Sequence, residues 1–258
     1  MHTAKRGAGF ARVLACLGLT LALLAGCAHQ RDPTAGWSAQ RLYDEAKQSM
    51  ERADFQQAIE YFETLEARYP FGDLALQAQL DIAYSYYRYG ENASAIAAAD
   101  RFIKLHPTHE GAAYAHYLRG LVRYNQGNNL LGHFFPRNMA NMDPSLLRQA
   151  FSDFQTVVRE HPQSRYVDDA RQRLVYLRNE LAQHELNVAR FYFDRSAYAA
   201  ALNRVDYLLS HYDRAASVPD ALALKIDAYR ALDMPDLAED ARRVLARNWP
   251  EHSALADS

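Results

Sequence analysis

A short motif recurs along this 258-residue chain and constrains the fold more than any other feature. The segments DFQQAIEYFETLEARYP (54–70) and ENASAIAAADRFIKLHP (91–107) are offset by 37 residues (91 − 54), share an Ala-Ile pair and end in a ring followed by proline. Three further copies follow at 146–162, 197–213 and 234–250. Agreement among five copies indicates a repeat protein, in which each unit buries its apolar face by stacking on its neighbours.

Three positions of the motif carry the same kind of residue in all five copies. The residue twelve places before the closing position is always alanine: Ala58, Ala95, Ala150, Ala201 and Ala238. The residue five places before it is always apolar: Leu65, Phe102, Val157, Leu208 and Leu245. The residue one place before it is always a ring: Tyr69, His106, His161, Tyr212 and Trp249. Residues seven apart lie on one face of an α-helix, so each copy predicts a helix with a buried stripe.

A second helical pattern precedes the motif in each of the first three units. Its residues are spaced by three and then four, which places them on one helix face. They are Tyr43, Ala46 and Met50, then Leu80, Ala83 and Tyr87, then Tyr117, Gly120 and Tyr124. Gly90 and Gly127 stand where this helix should end, and a proline closes the motif in four of the five copies. Each unit is therefore predicted to be a helix, a turn, a second helix and a stop.

This plan resembles the tetratricopeptide repeat. The second unit matches it best, at Ile82, Ala83, Tyr86, Ala95, Phe102 and Pro107. The tryptophan of the consensus is absent, and Lys225 and Arg242 occupy usually apolar positions of the fifth unit, as in a polar capping repeat. The predicted fold class is all-α, an α-solenoid of about five tetratricopeptide helix pairs.

Two units are longer than the others. Units 1–3 are assigned to residues 38–163, with a loop insert at 128–145 that mixes Asn, Gly and Pro with apolar residues. This insert either contacts a partner or covers a groove, or else it folds onto its own scaffold. Units 4 and 5 are assigned to 164–258, and the segment 165–194 contains neither Gly nor Pro. Its helical period predicts one long helix that links the two halves of the solenoid.

The N-terminal residues have the composition of a lipoprotein signal peptide. Lys5 and Arg6 precede an apolar run at 13–26, which is too short for a comfortable membrane span. Leu24-Ala25-Gly26-Cys27 resembles the bacterial lipobox, so residues 1–26 are predicted to be removed and 27–37 to form a lipidated tether. The alternative is a buried core helix. The resemblance implies a diacylglycerol and an N-acyl lipid on Cys27, and Ala28 favours sorting to the outer membrane.

The composition excludes several kinds of site. After removal of the signal peptide, Cys27 is the only cysteine, so the mature chain has no internal disulfide and no cysteine nucleophile. The net charge of −2 makes nucleic acid an unsuitable partner. His106 and His109 stand in a Pro-containing loop, which is unlike a helical metal site. We therefore expect no cofactor apart from the covalent lipid, and no enzymatic activity.

The order of these features resembles the BamD family, lipoproteins of the β-barrel assembly machinery in the bacterial outer membrane. The stretches that resemble it are 53–72, 106–121, 150–185 and 203–205. The resemblance implies a non-enzymatic adaptor, lipid-anchored on the periplasmic face of the outer membrane. Its C-terminal repeats would bind a POTRA domain of the barrel protein BamA, and other lipoproteins of the machinery would be partners. Its N-terminal repeats would receive the C-terminal targeting segments of unfolded outer-membrane proteins.

The first helices of the repeats are the predicted binding face for such a segment. By the tetratricopeptide pattern this face shows Tyr43, Lys47, Tyr84, Arg88, Tyr114, Tyr117 and Asn125. Rings would stack on the terminal aromatic residue of the segment, and Lys47 or Arg88 would pair with its carboxylate. The alternative for each residue is packing between helices or a solvated charge. Arg204 matches a family stretch associated with contact to BamA, the alternative being solvation.

Another tethered repeat adaptor is the alternative function, such as a pilus-assembly pilotin or a cell-wall coordination lipoprotein. Such proteins share the lipobox and the repeats, but would not be expected to carry the insert and the long helix. The helix that begins with HEGAAYAHYLRG (109–120) discriminates between them. A role in β-barrel assembly predicts that this helix lines an aromatic pocket.

Overall fold

The computed structural model describes residues 32–126 and 144–256, and this part of the chain contains ten α-helices and no β-strand. We number them in chain order, and they fall into five consecutive pairs. The helices are α1 (Ala39–Glu51), α2 (Phe55–Arg68), α3 (Asp73–Tyr89), α4 (Asn92–Leu105), α5 (Gly111–Gln126), α6 (Pro144–Glu160), α7 (Val167–Phe193), α8 (Tyr198–His211), α9 (Val218–Ala231) and α10 (Pro235–Asn248). A short 3₁₀ helix, Ser253–Leu255, follows. The predicted all-α solenoid of about five helix pairs is confirmed.

The recurring motif residues form the centre of the stack. The five alanines and the five apolar residues are all buried, and none exposes more than the 4% of Ala238. The recurring ring ends the second helix of a unit: the backbone N–H of Tyr69, for example, donates to the Leu65 carbonyl at 2.8 Å. The following proline disfavours the helical region for Tyr69, and Tyr212 leaves that region in the same way before Asp213. The motif therefore encodes both the buried stripe and the stop.

The turn inside a unit requires a residue with positive φ. Gly90 adopts this conformation at φ 93° in unit 2, as the sequence suggested. Residues with a side chain adopt it in three other units, namely Ala53, Ser196 and Asp233, each with φ of 58–59°. The geometry of the turn is thus common to these units, although only one of the four uses the residue that adopts it without steric cost.

The buried apolar residues form two clusters that meet at α5. The first cluster runs from Leu42 to Val122, and the second from Leu147 to Leu245. Helix α6 packs on α5 through Gly120, where an added Cβ would lie 2.9 Å from the ring of Phe154. A glycine is needed here because a larger residue would displace the buried ring.

A buried ionic network lies at the same α5–α6 contact. The carboxylate of Asp153, 2% exposed, accepts hydrogen bonds from Arg119 at 2.6 and 2.9 Å and from Arg123 at 2.6 Å. Arg119 also pairs with Asp100 of α4. The two guanidinium groups provide the compensation that a buried carboxylate needs.

The segment 165–194 contains the single helix α7 of 27 residues. It packs on α6, α8 and α9. No helix within 32–126 and 144–256 combines the length and the apolar character that crossing a membrane would need.

Candidate functional site

A groove of about 900 Å³ lies between the first helices of units 1–3 and the loop that joins α6 to α7. Helices α1, α3 and α5 form its floor, and residues 160–166 form one wall. The lining residues are Lys47, Gln77, Leu80, Asp81, His109, Glu110, Gly111, Ala113, Tyr114, Glu160, His161, Pro162, Gln163, Ser164, Arg165 and Tyr166. The helix that begins with HEGAAYAHYLRG therefore does line a pocket, and four aromatic or imidazole rings contribute to it.

Tyrosine rings pack together at and behind the groove lining. The ring of Tyr166 packs against Tyr114, with 5.3 Å between centroids, and stacks on Tyr117, with 4.8 Å between centroids and 20° between planes. Tyr117 also packs on Phe154 of α6. Its hydroxyl donates to Asp169 at 2.6 Å, and burial together with this bond raises the pKa of Tyr117 to about 12. These rings join α5 to the start of α7.

A buried carboxylate organises the floor. Asp81 is 7% exposed and accepts hydrogen bonds from Tyr43 at 3.0 Å, from Lys47 at 3.3 Å and from Gln77 at 3.4 Å. Burial first, and the Asp81 charge second, raise the pKa of Tyr43, so this hydroxyl remains a donor. Asp81 thus holds the Lys47 ammonium at the groove, where 39% of that side chain stays exposed.

The rim carries charges of both signs. The guanidinium of Arg165 lies 5.0 Å above the Tyr166 ring and donates to its hydroxyl at 2.7 Å. Just before α5, the His109 ring packs on Phe102 and accepts a hydrogen bond from the Gly111 backbone at 3.0 Å. Glu110 and Glu160 supply negative charge beside them. The groove therefore presents tyrosine faces and the Lys47 and Arg165 cations beside the carboxylates of Glu110 and Glu160.

The structure brings some of the predicted site residues together and separates others. Lys47 and Tyr114 line the groove, while Tyr43 and Tyr117 support its lining residues from behind. Asn125 donates to the Tyr87 hydroxyl at 2.6 Å, away from the groove lining.

Tyr84 and Arg88 form a separate cluster with Phe55 of α2. Arg88 donates to the Tyr84 hydroxyl at 2.6 Å and lies 4.8 Å from the Phe55 ring. Neither of the two predicted residues is among those that line the groove. Lys47 is therefore better placed than Arg88 to meet a ligand there.

Several groove residues were missing from the sequence prediction. Asp81 occupies a buried helical position, and Arg165 and Tyr166 follow a motif proline in what reads as an ordinary connecting loop. A usable signal was present for Asp81, because an acidic residue flanked by Leu80 and Ile82 in a predicted buried helix requires a polar partner. Nothing in the local sequence shows that the 160–166 loop folds over the helices of earlier units.

Arg204 takes part in an ionic cluster at the other half of the molecule. It lies on α8, 46% of its side chain is exposed, and it donates to Glu185 of α7 at 3.3 Å. Arg148 approaches the same carboxylate at 3.8 Å, and Glu185 itself is 3% exposed. The buried carboxylate positions Arg204 while about half of the arginine side chain stays exposed.

Two predicted features lie wholly or largely outside the described residues. Cys27 and the signal segment precede residue 32, and of the insert 128–145 only the last two residues, at the start of α6, are described. The lipid attachment and the role of the insert therefore stay predictions.

Comparison with known proteins identifies the family. The model of the YfiO family, described as an outer membrane lipoprotein, matches residues 36–245. The outer membrane protein assembly factor BamD of Neisseria meningitidis serogroup B is 40% identical over 250 residues, which cover 95% of this chain and 93% of that protein. BamD of Xylella fastidiosa is 37% identical, covering 94% and 84%, and BamD of Vibrio cholerae 34%, covering 89% and 95%. A solved tetratricopeptide repeat protein from Parabacteroides merdae is 14% identical, covering 80% and 78%, with a TM-score of 0.39. On the family match and the BamD relatives, the chain belongs to the YfiO/BamD family of outer membrane lipoproteins.

Proposed function

We propose that this protein is a non-enzymatic scaffold of the β-barrel assembly machinery, anchored by lipid on Cys27 to the periplasmic face of the outer membrane. Its relatives are named outer membrane protein assembly factors, and they match it over nearly their whole length. The lipobox supplies the means of attachment, since several acyl chains on one residue anchor a protein without a transmembrane helix.

The groove is the site at which we propose that the C-terminal segment of an unfolded outer-membrane protein binds. Such segments end in an aromatic residue and a carboxylate. The observation that carries the proposal is the pairing of Tyr114 and Tyr166 rings with the Lys47 and Arg165 cations in one groove. The terminal ring would pack on the tyrosines, and the carboxylate would form a charge-assisted bond to one of the cations.

Lys47 is the preferred partner of the carboxylate in this proposal. Its ammonium is already oriented by Asp81, so little additional ordering is needed on binding. The ring of Tyr166 stacks on Tyr117 and packs against Tyr114. These rings are therefore also ordered before a ligand binds, which lowers the entropy cost of binding. A groove built on helices in this manner suits a segment that is disordered before it binds.

A peptide-binding measurement tests the groove. A peptide with a C-terminal phenylalanine should bind as the free acid, and its C-terminal amide should bind at least tenfold more weakly, which corresponds to about 1.4 kcal/mol. Lys47→Glu should remove the preference for the acid. Arg88→Glu is the matched control, because Arg88 lies on the neighbouring first helix but does not line the groove. Equal loss in both variants would contradict the assignment of Lys47.

The C-terminal repeats are the proposed contact for a POTRA domain of BamA. Arg204 supports this proposal because a half-exposed arginine side chain, held by a buried carboxylate through one guanidinium nitrogen, is preorganised for an ion pair with a partner. Other lipoproteins of the machinery are further proposed partners.

Recovery of partners from outer membranes tests the scaffold role. The lipidated protein, purified from detergent-solubilised membranes, should carry with it a barrel protein that has POTRA domains. Arg204→Glu should lose that protein, whereas Arg101→Glu should retain it, since Arg101 is a similarly exposed arginine on α4. Recovery of pilus or cell-wall proteins alone would contradict the proposal.

A further inference from the structure

The chain between the proposed lipid and the first described residue is short. Five residue steps separate Cys27 from Asp32 (32 − 27). A fully extended chain spans at most about 18 Å over that distance. The first described residues must therefore lie close to the membrane surface whenever the lipid is inserted.

The end of the tether is fixed to the first repeat by hydrogen bonds. Arg68, at the end of α2, donates to the Thr34 carbonyl at 2.6 Å and to its hydroxyl at 2.8 Å, and it pairs with Asp32. The hydroxyl of Tyr69 donates to the Trp37 carbonyl at 2.8 Å. The segment is thus attached to the last turn of α2, next to the loop that follows it.

That loop exposes a phenylalanine. Phe71 is 90% exposed, the largest value among the exposed large apolar side chains of the described residues, the next being Leu105 at 58%. It follows Tyr69 and Pro70, which are exposed as well. Single exposed apolar residues are common on protein surfaces, so exposure alone does not indicate contact with lipid.

The other repeats provide an internal comparison. The position after the closing residue of the motif is Phe71 in unit 1, and in units 2–5 it is Thr108, Gln163, Arg214 and Glu251. All five side chains are exposed at equivalent loops. Phe71 is the only apolar residue among these five, and it is the one beside the tether. An exposed phenylalanine lowers solubility unless it contacts an apolar partner.

We propose that Phe71 inserts into the headgroup region of the membrane beside the lipid anchor, so that the first repeat contacts the bilayer at a second point. A ring at this depth leaves water while the surrounding backbone remains hydrated. Two attachment points would restrict rotation of the solenoid about its tether and keep the groove in one orientation to the membrane. The inference rests on the proposed lipid attachment at Cys27 and is independent of the proposed ligand of the groove.

Site-directed fluorescence tests this contact in the lipidated protein. In the mature chain Cys27 is acylated and Cys16 is removed, so Phe71→Cys supplies a single free thiol for an environment-sensitive fluorophore. The protein is reconstituted into vesicles of phosphatidylethanolamine and phosphatidylglycerol, with and without brominated acyl chains. The matched control is Arg214→Cys, at the equivalent loop position three repeats along the stack.

The expected result is a blue-shifted emission at position 71 that brominated lipid quenches, with emission at position 214 unchanged. A second label is placed at Asp73→Cys, two residues away, so that Phe71 itself is retained. Quenching of this label by brominated lipid should fall when Phe71→Ser is added. A water-like emission at position 71 in protein that floats with the vesicles would overturn the contact and leave the anchor intact.

Three other outcomes would also overturn the proposal. Quenching at both 71 and 214 would mean that the whole stack lies flat on the membrane. A blue shift at position 71 in native membranes, but not in vesicles that hold the labelled protein alone, would assign Phe71 to a protein partner. If the protein does not float with the vesicles, the lipid anchor on which the inference rests is wrong. The proposed binding of a peptide carboxylate in the groove does not depend on the anchor, and the peptide measurement tests it separately.

Discussion

The ring of Tyr117 on α5 stacks on the ring of Tyr166 at the start of α7, with 4.8 Å between their centroids. The two residues are 49 apart in sequence (166 − 117) and belong to different repeats. Tyr166 belongs to the wall of the groove, and Tyr117 supports that ring from behind. The stack therefore couples the packing of the two halves of the solenoid to the shape of the groove.

A double-mutant cycle on Tyr117→Leu and Tyr166→Leu tests this coupling. The free energies of unfolding should be non-additive by about 0.5–1.5 kcal/mol, the typical worth of an aromatic pair beyond its buried area. Denaturant unfolding provides the measurement. Tyr117→Leu combined with Tyr89→Leu serves as the control pair, because Tyr89 bonds to Gln56 in the first half and should be additive. Additivity in both pairs would contradict the coupling.

The positive-φ turns predict different effects of two substitutions, Gly90→Ala and Ala53→Gly, on the free energy of unfolding. Gly90→Ala should lower the free energy of unfolding by about 1–2 kcal/mol, since a Cβ is disfavoured in the left-handed region. Ala53→Gly, at the equivalent turn of unit 1, should be neutral or stabilising, because it removes the same strain. No atom lies within 4 Å of a Cβ built on Gly90, so a loss there reports backbone strain alone. Thermal and denaturant unfolding of both variants would check this, and a stabilising Gly90→Ala would contradict it.

Asp153 is expected to be the most sensitive charged position of the described residues. Asp153→Asn leaves Arg119 and Arg123 without their shared carboxylate, and breaking a buried ion pair typically costs about 3–5 kcal/mol. Asp168→Asn, at a side chain that is 91% exposed, should change stability by less than about 0.5 kcal/mol. Similar losses at the two positions, measured by urea unfolding, would mean that the buried network is not what stabilises the α5–α6 contact.

The same contact should lose stability on mild acidification. Desolvation by burial, together with the charge of Arg119 3.3 Å away, lowers the pKa of His116 below its ordinary 6.5, although Asp153 opposes this shift. His161 and Glu160 also face His116. Because the unfolded chain then binds a proton more readily, the contribution of His116 is fully present above pH 6.5 and decreases as the pH falls below it.

Unfolding of His116→Gln at a series of pH values checks this expectation. The variant should lose less stability than the parent protein between neutral and mildly acidic pH, because glutamine has no proton to take up. Parallel losses in the two proteins would assign the pH dependence to other groups.

The repeat pattern was sufficient to predict the arrangement of buried positions. Every recurring alanine and apolar residue is buried, because one helix face is set by a local period of 3.6 residues. Four of the five stops were also predictable from local sequence, because proline restricts the backbone of the residue directly before it. Gly90 was a correct turn residue, whereas the turns at Ala53, Ser196 and Asp233 had no glycine to reveal them.

The candidate site was predictable only in part. The family resemblance led to the expectation that the helix containing Tyr114 lines an aromatic pocket, and Tyr114 does line the groove; the repeat pattern named Lys47, which lines it too. It also named Tyr84 and Arg88, which pair with each other and with Phe55 instead. Periodicity identifies the helix on which a residue lies, but not the neighbour it meets after the helices have packed.

The sequence by itself determined the units, their helices and stops, and the membership of the YfiO/BamD family, because each depends on residues close together in the chain. Only the tertiary structure decided that the 160–166 loop closes the groove over α1, α3 and α5, and that Asp81 holds Lys47 there. The tertiary structure also brought Phe71 next to the end of the tether. These relationships depend on how successive units superimpose, and small changes in helix packing angle accumulate over several repeats without altering the local pattern.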